Sequence, residues 1–226
     1  MQKHNYILLV VFTICFVTLS FSQHRRYAIK NGIGIQGGLT QFDILTDNFS
    51  TEKSNGWIGG LNATVDLPHK WYTVSYGMML SESNIEIYGI ESIVSSTFKP
   101  MDYKLMAVQV GFTLHIKLID QNFMLELGPQ IQYNSKLVLK NETFENYLVS
   151  GFDEITAKDI EDISQFNANG VLGASIWFGS FRFRAQYIYG LTNILNKLND
   201  KGFSSNLGEE FKGNQSMLAF TVMITI

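Results

Sequence analysis

The chain has 226 residues, of which 46% are hydrophobic and only 16% are charged, and its formal net charge at pH 7 is −3. A slightly acidic chain lacks the excess positive charge with which most nucleic-acid-binding proteins attract phosphates, so this class is not indicated. The single cysteine, Cys15, lies in an N-terminal leader. Disulfides, thiolate metal sites and cysteine nucleophiles are therefore excluded from the chain that follows the leader.

The first 22 residues have the layout of a secretory signal peptide. Lys3 precedes an apolar run over residues 6–19, which is shorter than the roughly 20 residues of a spanning helix. The small residue Ser22 stands at the position where signal peptidase cleaves. An uncleaved N-terminal anchor is the alternative. We predict a signal peptide over 1–22 and a single domain over 23–226, with a net charge of −4 once Lys3 is removed.

After the leader, apolar and polar residues alternate with period two in eight segments, which predicts eight β-strands. The alternation is nearly complete in the seventh segment, where Arg182, Arg184 and Gln186 stand between Phe and Tyr residues. The predicted strands are Ile29–Thr40, Trp57–Leu67, Trp71–Ser81, Tyr103–Leu118, Phe123–Leu137, Phe166–Phe178, Phe181–Leu191 and Gln215–Ile226.

The length of these segments favours a membrane barrel over a soluble sandwich. Strands of soluble proteins usually have about five or six residues, whereas these have about ten to fifteen. Eleven tilted residues rise about 28 Å, enough for the apolar band of an outer-membrane barrel. The less apolar face is mostly Gly, Ala, Ser, Thr, Asn and Gln, which suits a narrow interior.

The connections between the strands alternate between short and long. Residues 68–70, 119–122 and 179–180 form three tight turns, and four longer polar connections lie between the other strand pairs. The long connections hold 17 of the 20 acidic residues and seven of the 17 basic ones. We predict an all-β protein, an eight-stranded antiparallel transmembrane barrel with short periplasmic turns and four long extracellular loops. In the third loop, Thr156 and Asp159 form a possible capping pair for one or two helical turns.

Four segments in the second half of the chain carry a recurring set of motifs. They are LELGPQIQY (Leu125–Tyr133), GVLGASIWF (Gly170–Phe178), FRAQYIYGLTNI (Phe183–Ile194) and NQSMLAFTVMI (Asn214–Ile224). In order and content they resemble the PorT-like small outer-membrane barrels of Bacteroidetes type, and the resemblance spans residues 103–226. It implies an eight-stranded outer-membrane barrel, and it does not extend to the role of PorT itself in protein secretion.

Seven ionisable side chains are expected on the inner face, in the periplasmic half of the lumen. An eight-stranded barrel is filled by its own side chains, so these groups must neutralise one another or lose their charge. A structural network of ion pairs is one reading, and a small-anion or proton site with His115 as the titrating member is the other. The seven residues are Lys30, Asp66, His115, Lys117, Glu126, Arg182 and Arg184.

The sequence disfavours an enzyme. The histidines after the leader are His24 in the leading tail, His69 in a turn and His115 deep in the lumen, so none is at the outer rim where a lipid or surface substrate would bind. No spacing resembles an EF-hand, and neither a cofactor nor a metal is predicted.

Two functions remain open. The first is a non-enzymatic scaffold in contact with outer-membrane lipid, lipopolysaccharide and an envelope protein partner, reached through its loops or its periplasmic face. The second is a narrow channel or pathway for a small solute.

Overall fold

The computed structural model describes residues 30–92, 97–119, 122–201 and 210–225. Eight long strands pair antiparallel along the chain, and the last pairs with the first, so the sheet closes into the predicted barrel. The predicted signal peptide lies outside the described residues. The barrel strands are β1 (Lys30–Leu45), β2 (Thr51–Asp66), β3 (Tyr72–Ile90), β4 (Lys99–Ile119), β5 (Phe123–Leu139), β7 (Phe166–Phe178), β8 (Phe181–Gly190) and β9 (Asn214–Thr225).

An additional short strand, β6 (Leu148–Val149), lies in the third loop and was not predicted. It pairs antiparallel with Gly89 and Ile90 at the end of β3. At this point β2 has already ended, since its last partner on β3 is Ile87. The third loop therefore continues the sheet edge that β2 leaves open.

A belt of exposed apolar side chains surrounds the barrel. In β8 it includes Phe181, Phe183, Tyr187 and Tyr189, the residues that alternate with the buried Arg182 and Arg184. A water-soluble monomer rarely exposes a continuous apolar surface of this extent, whereas the lipid-facing band of a barrel requires it. Other members are Ile33, Leu39, Trp57, Leu61, Trp71, Tyr76, Val110, Phe112, Ile131, Leu172 and Phe220.

None of the helices in the described ranges is long and apolar enough to cross a membrane.

Two of the four predicted long loops are in fact short, because the strands continue past the apolar belt. The connection from β1 to β2 is only residues 46–50, and that from β3 to β4 only residues 91–98. In the extension of β3 the outward residues are polar, such as Glu82 and Glu86, while Ile85 and Ile87 point inward and are buried. The acidic residues assigned to these loops therefore lie largely on the outer face of projecting strands.

The third and fourth loops, residues 140–165 and 191–213, are long as predicted. Their described residues include the 3-10 turns Glu142–Phe144 and Asp159–Glu161 and a short helix, α1 (Asn196–Asp200). Thr156 and Asp159 contact each other, since the Thr156 hydroxyl donates to Asp159 Oδ2 at 2.6 Å. The prediction that they cap a helical turn is wrong, because the single 3-10 turn here has Lys158 at its N-cap and no side-chain cap hydrogen bond.

Candidate functional site

The inward side chains fill the barrel in three layers, which we name from the loop end to the turn end. The apolar plug lies under the two long loops, the amide layer lies in the middle, and the charged layer lies toward the short turns. Because side chains on a strand alternate between its two faces, every second residue of each strand contributes to these layers. The composition of the layers determines what can enter or cross the barrel.

The apolar plug joins the inner face of the projecting strands to the third and fourth loops. Phe152 and Phe211 connect the two loops, with ring centroids 5.5 Å apart and rings 28° from parallel. The hydroxyl of Tyr103 is buried and donates to the Ala157 carbonyl at 2.9 Å. The main members are Phe42, Ile44, Phe49, Ile85, Ile87, Met101, Tyr103, Leu105, Leu137, Leu139, Val149, Phe152, Ile155, Ile160, Ile163, Ile188, Ile194, Leu195, Leu198, Phe211 and Met217.

An ion pair on the surface of the plug also ties the two loops together. Lys197 of the fourth loop donates to Asp162 of the third at 2.6 Å, and Lys201 lies 3.5 Å from the same carboxylate. The hydrogen bond from Lys197 holds the pKa of Asp162 below its usual value. The loops therefore form one folded cap over the mouth of the barrel.

The amide layer is a network of hydrogen-bonded glutamines and asparagines. The side-chain amides of Gln132 and Gln215 form two reciprocal hydrogen bonds, of 2.7 and 2.9 Å. Gln132 Oε1 also accepts from Gln109 at 3.1 Å and from Asn169 at 3.0 Å. These side chains are almost fully buried. Since amides donate and accept at once, such a layer fills a narrow interior without a net charge.

The charged layer is centred on Glu126, which has no exposed surface. Arg184 donates to both carboxylate oxygens, from Nε at 3.0 and 3.2 Å and from Nη2 at 2.9 Å, and Gln186 adds a fourth bond at 2.8 Å. Arg184 Nη1 is in turn held by Gln36 Oε1 at 2.5 Å. The bidentate geometry is that of a strong, fixed ion pair.

His115 is also fully buried in the charged layer. Its Nδ1 atom lies 3.2 Å from Glu126 Oε1 and 3.1 Å from Arg182 Nη2, while Nε2 lies 2.7 Å from the Ser75 hydroxyl. Because Nδ1 either donates to the carboxylate or accepts from the guanidinium, it forms only one of these two bonds at a time. Ser75, His115 and Glu126 therefore form a chain of hydrogen-bonding groups with the connectivity of a serine hydrolase triad.

Asp66 and Lys117 form a second ion pair, closer to the short turns. Lys117 Nζ lies 2.8 Å from Asp66 Oδ1 and also donates to the Leu67 carbonyl at 3.1 Å. The Thr73 hydroxyl donates to the same carboxylate oxygen at 2.9 Å. Lys30 begins β1 opposite Asp66, and its side chain lies outside the described part of the structure. The sequence-derived candidates thus lie in two neighbouring groups at the turn end, one around Glu126 and one around Asp66. Lys30 is placed in the second group by the strand pairing of its backbone with Asp66.

Sequence reasoning missed the contact between Ser75 and His115. The hydroxyl nearest to His115 along its own strand face is that of Thr113, whereas Ser75 lies on the neighbouring strand β3, directly opposite Thr113. The alternation in β3 predicts that Ser75 faces the lumen. It does not predict the pairing register with β4 that places Ser75 beside the imidazole of His115. Gln36 and Gln186 were missed for the same reason.

A cavity of about 310 Å³ lies at the turn end, below the charged layer. Its walls come from the turn-side ends of the barrel strands. Arg182 borders it, with the guanidinium 4.8 Å from the centre of the Trp177 ring. Its other lining residues are Asn31, Gly32, Thr64, Asp66, Thr73, Asn122, Met124, Gly179 and Thr225. Across the described residues, no three His, Cys, Asp or Glu side chains are placed to hold a metal ion.

Residues 21–196 match the family model of the outer membrane protein beta-barrel domain. This chain belongs to that family. The match covers the first four strands and three of the four segments that carry the PorT-like motifs, while the fourth segment, Asn214–Ile224 in β9, lies beyond it. It also assigns the protein to the outer membrane, where lipid contacts the exposed apolar belt.

No curated protein matches this chain in sequence. Three solved outer-membrane proteins are similar in fold. Neisserial surface protein A has 10% identity and a TM-score of 0.46, over 86% of this chain and 97% of its own. Ail of Yersinia pestis, solved with the heparin analogue sucrose octasulfate, has 12% identity and a TM-score of 0.43, over 87% and 99%. LpxR from Salmonella typhimurium has 9% identity and a TM-score of 0.25, over 86% and 99%.

Proposed function

We propose that this outer-membrane barrel is a sealed, non-enzymatic scaffold that holds a folded cap at the cell surface and contacts an envelope partner. The observation that carries this proposal is the apolar plug. Phe42, Ile44 and Tyr103 fill the lumen from the strands, and the third and fourth loops cover them with further buried apolar side chains. A hydrophobic constriction closes a pore to ions and polar solutes by excluding water, and the plug fills the lumen with such side chains.

The cap supports a role in partner binding. The outer faces of the projecting strands carry Glu52, Glu86 and Asp102, and the third loop adds further carboxylates. Such a surface attracts a basic partner and orients it during encounter. The segments that resemble PorT-like barrels lie in paired strands β5, β7, β8 and β9, which supports placing the protein in that narrower group. Lipopolysaccharide and lipid contact the belt below the cap.

We expect the reconstituted protein to conduct no ions. The wild-type chain would be inserted into planar bilayers, with a general porin in the same bilayer as the positive control. The current should stay at background because the plug has no polar route through it. An ion-selective current that Arg184→Ala alters would support the channel alternative and contradict the sealed barrel.

The chain of Ser75, His115 and Glu126 requires its own test, because this connectivity is that of an acyl-transfer site. All three side chains are completely buried, and none of them borders the turn-end cavity. An acyl group therefore cannot reach the Ser75 oxygen, and the hydrogen bonds serve the packing of the lumen.

We expect a serine-directed fluorophosphonate to leave the folded protein unlabelled. The readout is the mass of the intact chain after incubation in detergent micelles, with a serine esterase as the positive control. Labelling that disappears in Ser75→Ala and persists in Ser83→Ala, a change at another buried serine of β3, would show an enzyme instead.

A further inference from the structure

We propose that the turn-end cavity binds a small carboxylate anion, held by Arg182, Trp177 and Thr225. The first reason is the balance of charge. Among the described side chains of this half of the lumen, Arg182, Arg184 and Lys117 face only two carboxylates. Lys117 is paired with Asp66 and Arg184 with Glu126, both at hydrogen-bonding distance. Arg182 is the cation left over.

The surroundings of Arg182 do not neutralise it. Its nearest carboxylate contact is Nε to Glu126 Oε1 at 3.9 Å. Its hydrogen bonds go to Ser175 and Met124 and, when His115 Nδ1 is the acceptor, to His115. Nη1 has no hydrogen-bond partner within the described structure. The side chain is only 1% exposed. A buried guanidinium in this state is costly unless an anion approaches it.

Two further donors border the same cavity. The indole Nε1 of Trp177 and the hydroxyl of Thr225 are buried, and neither has a hydrogen-bond partner among the described residues. An indole N–H can only donate. Arg182, Trp177 and Thr225 therefore bring three buried donor groups without a partner to the wall of one cavity, and small side-chain rotations that turn them inward would complement an anion with two acceptor oxygens.

The size and lining of the cavity indicate the class of anion. Its volume of about 310 Å³ is at the lower end of the roughly 300–1,000 Å³ typical of small-molecule sites. Met124, the face of Trp177 and two glycines supply apolar surface. Asp66 also borders the cavity, and its carboxylate is neutralised by Lys117, which donates with Thr73 to Oδ1. With one surplus cation, the site matches a monoanion with an apolar body. A carboxylate carries that single charge, whereas a phosphate dianion would leave one buried charge uncompensated.

The test uses benzoate as the probe and benzamide as its neutral counterpart of the same shape. Trp177 is the reporter, in a Trp57→Phe/Trp71→Phe background that removes the two exposed tryptophans. The folded chain in detergent micelles is titrated at constant ionic strength set with chloride. We expect a saturable change of Trp177 fluorescence with benzoate and none with benzamide. No response to benzoate, or an equal response to benzamide, would overturn the proposal and leave solvent alone to satisfy Arg182.

Two variants on β9 provide a matched comparison. Thr221 and Thr225 are both threonines whose hydroxyl is buried and has no partner in the described structure, but only Thr225 borders the cavity. We expect Thr225→Val to weaken benzoate binding about tenfold, the size of a lost hydrogen bond to a charged group, and Thr221→Val to leave it unchanged. Equal effects of the two changes would contradict the assignment.

Arg182→Met tests the charge itself. The variant keeps an apolar side chain beside Trp177 and removes the surplus cation, so the barrel should still fold, as shown by heat-modifiable migration on a gel. Benzoate binding should fall by at least about a hundredfold, because the charge-assisted hydrogen bond from Nη1 and the attraction of the surplus cation are lost together. Unchanged binding in the folded variant would overturn the proposal, and the threonine pair decides the matter should this variant fail to fold.

Discussion

Glu126→Gln should lower the free energy of unfolding of the barrel by about 3–5 kcal/mol, the usual cost of removing one partner of a buried ion pair. Glu126 accepts three hydrogen bonds from Arg184 and one from Gln186. Glu126 and Arg184 are buried, whereas Gln186 is partly exposed. The substitution keeps the shape of the side chain and leaves Arg184 charged without a counter-ion. The measurement is the urea midpoint of the chain folded into lipid vesicles, followed by heat-modifiable migration.

The matched control is Glu82→Gln. Glu82 lies 3.8 Å from Lys104 on the outer face of the projecting strands, and both side chains are partly exposed. Such a pair contributes about 0–1 kcal/mol, so its loss should barely move the midpoint. A double-mutant cycle completes the test: Arg184→Gln should cost much less when Glu126→Gln is already present. Additive effects of the two changes would contradict the coupling seen in the structure.

The sequence predicts the membrane-spanning part of each strand well, because lipid imposes one rule there. Outward residues must be apolar and inward residues must suit a narrow lumen, so a period of two is visible directly. In β8, all of the outward Phe and Tyr residues and the inward arginines lie as the alternation indicates. In β7 the predicted and observed bounds agree.

The same rule fails where the strands leave the membrane. Along the whole of β3 the even-numbered residues face outward. In the membrane-spanning part these outward residues are apolar, such as Tyr76 and Met78. Farther along the strand the apolar residues are the inward, odd-numbered ones, such as Ile85 and Ile87. Outward side chains there meet water, while inward ones meet the plug. A search for apolar outward residues therefore ends near Ser81 and treats the rest of β3 as a loop.

A local irregularity caused a second error, in β5. The sequence pattern groups Leu137 with the lipid-facing residues, whereas the structure buries it in the plug. The register between β4 and β5 shifts between Leu105 and Ala107, so that Ala107 pairs with Asn134 while Leu105 pairs with Leu137. A bulge of this kind reverses the parity of the residues beyond it, and nothing in the alternation itself marks its position.

The candidate charged residues were predicted as a set, but their partners were not. Strand parity places each of them in the lumen, yet the pairing of Arg184 with Glu126 joins residues on strands that are not adjacent, β8 and β5, across the lumen. The two arginines differ by only 1 Å in their distance to the same carboxylate, since Arg184 lies 2.9 Å and Arg182 3.9 Å from Glu126. Arg182 and Arg184 look alike in the sequence, and only the structure separates a neutralised guanidinium from one that faces a cavity.

Phe211→Ala should open the surface cap while leaving the barrel folded. Phe211 has no exposed surface, stacks on Phe152 of the third loop and belongs to the plug rather than to any strand. Removing a buried phenylalanine side chain costs about 3–5 kcal/mol. That loss falls on the packing of the fourth loop against the third, because the barrel strands keep all of their backbone pairs.

Trypsin cleavage after Lys197 and Lys201, in proteoliposomes, measures this opening. Both lysines are tied to Asp162 in the closed cap. When cleavage follows the population of the open form, a loss of 3 kcal/mol or more raises the cleavage rate by about a hundredfold or more, with heat-modifiable migration unchanged. Phe98→Ala removes the same side chain from an exposed position at the loop end and should leave cleavage at the wild-type rate. A wild-type rate in Phe211→Ala would mean that the two loops are held by their polar ties alone, and the apolar plug would then have no part in sealing the barrel.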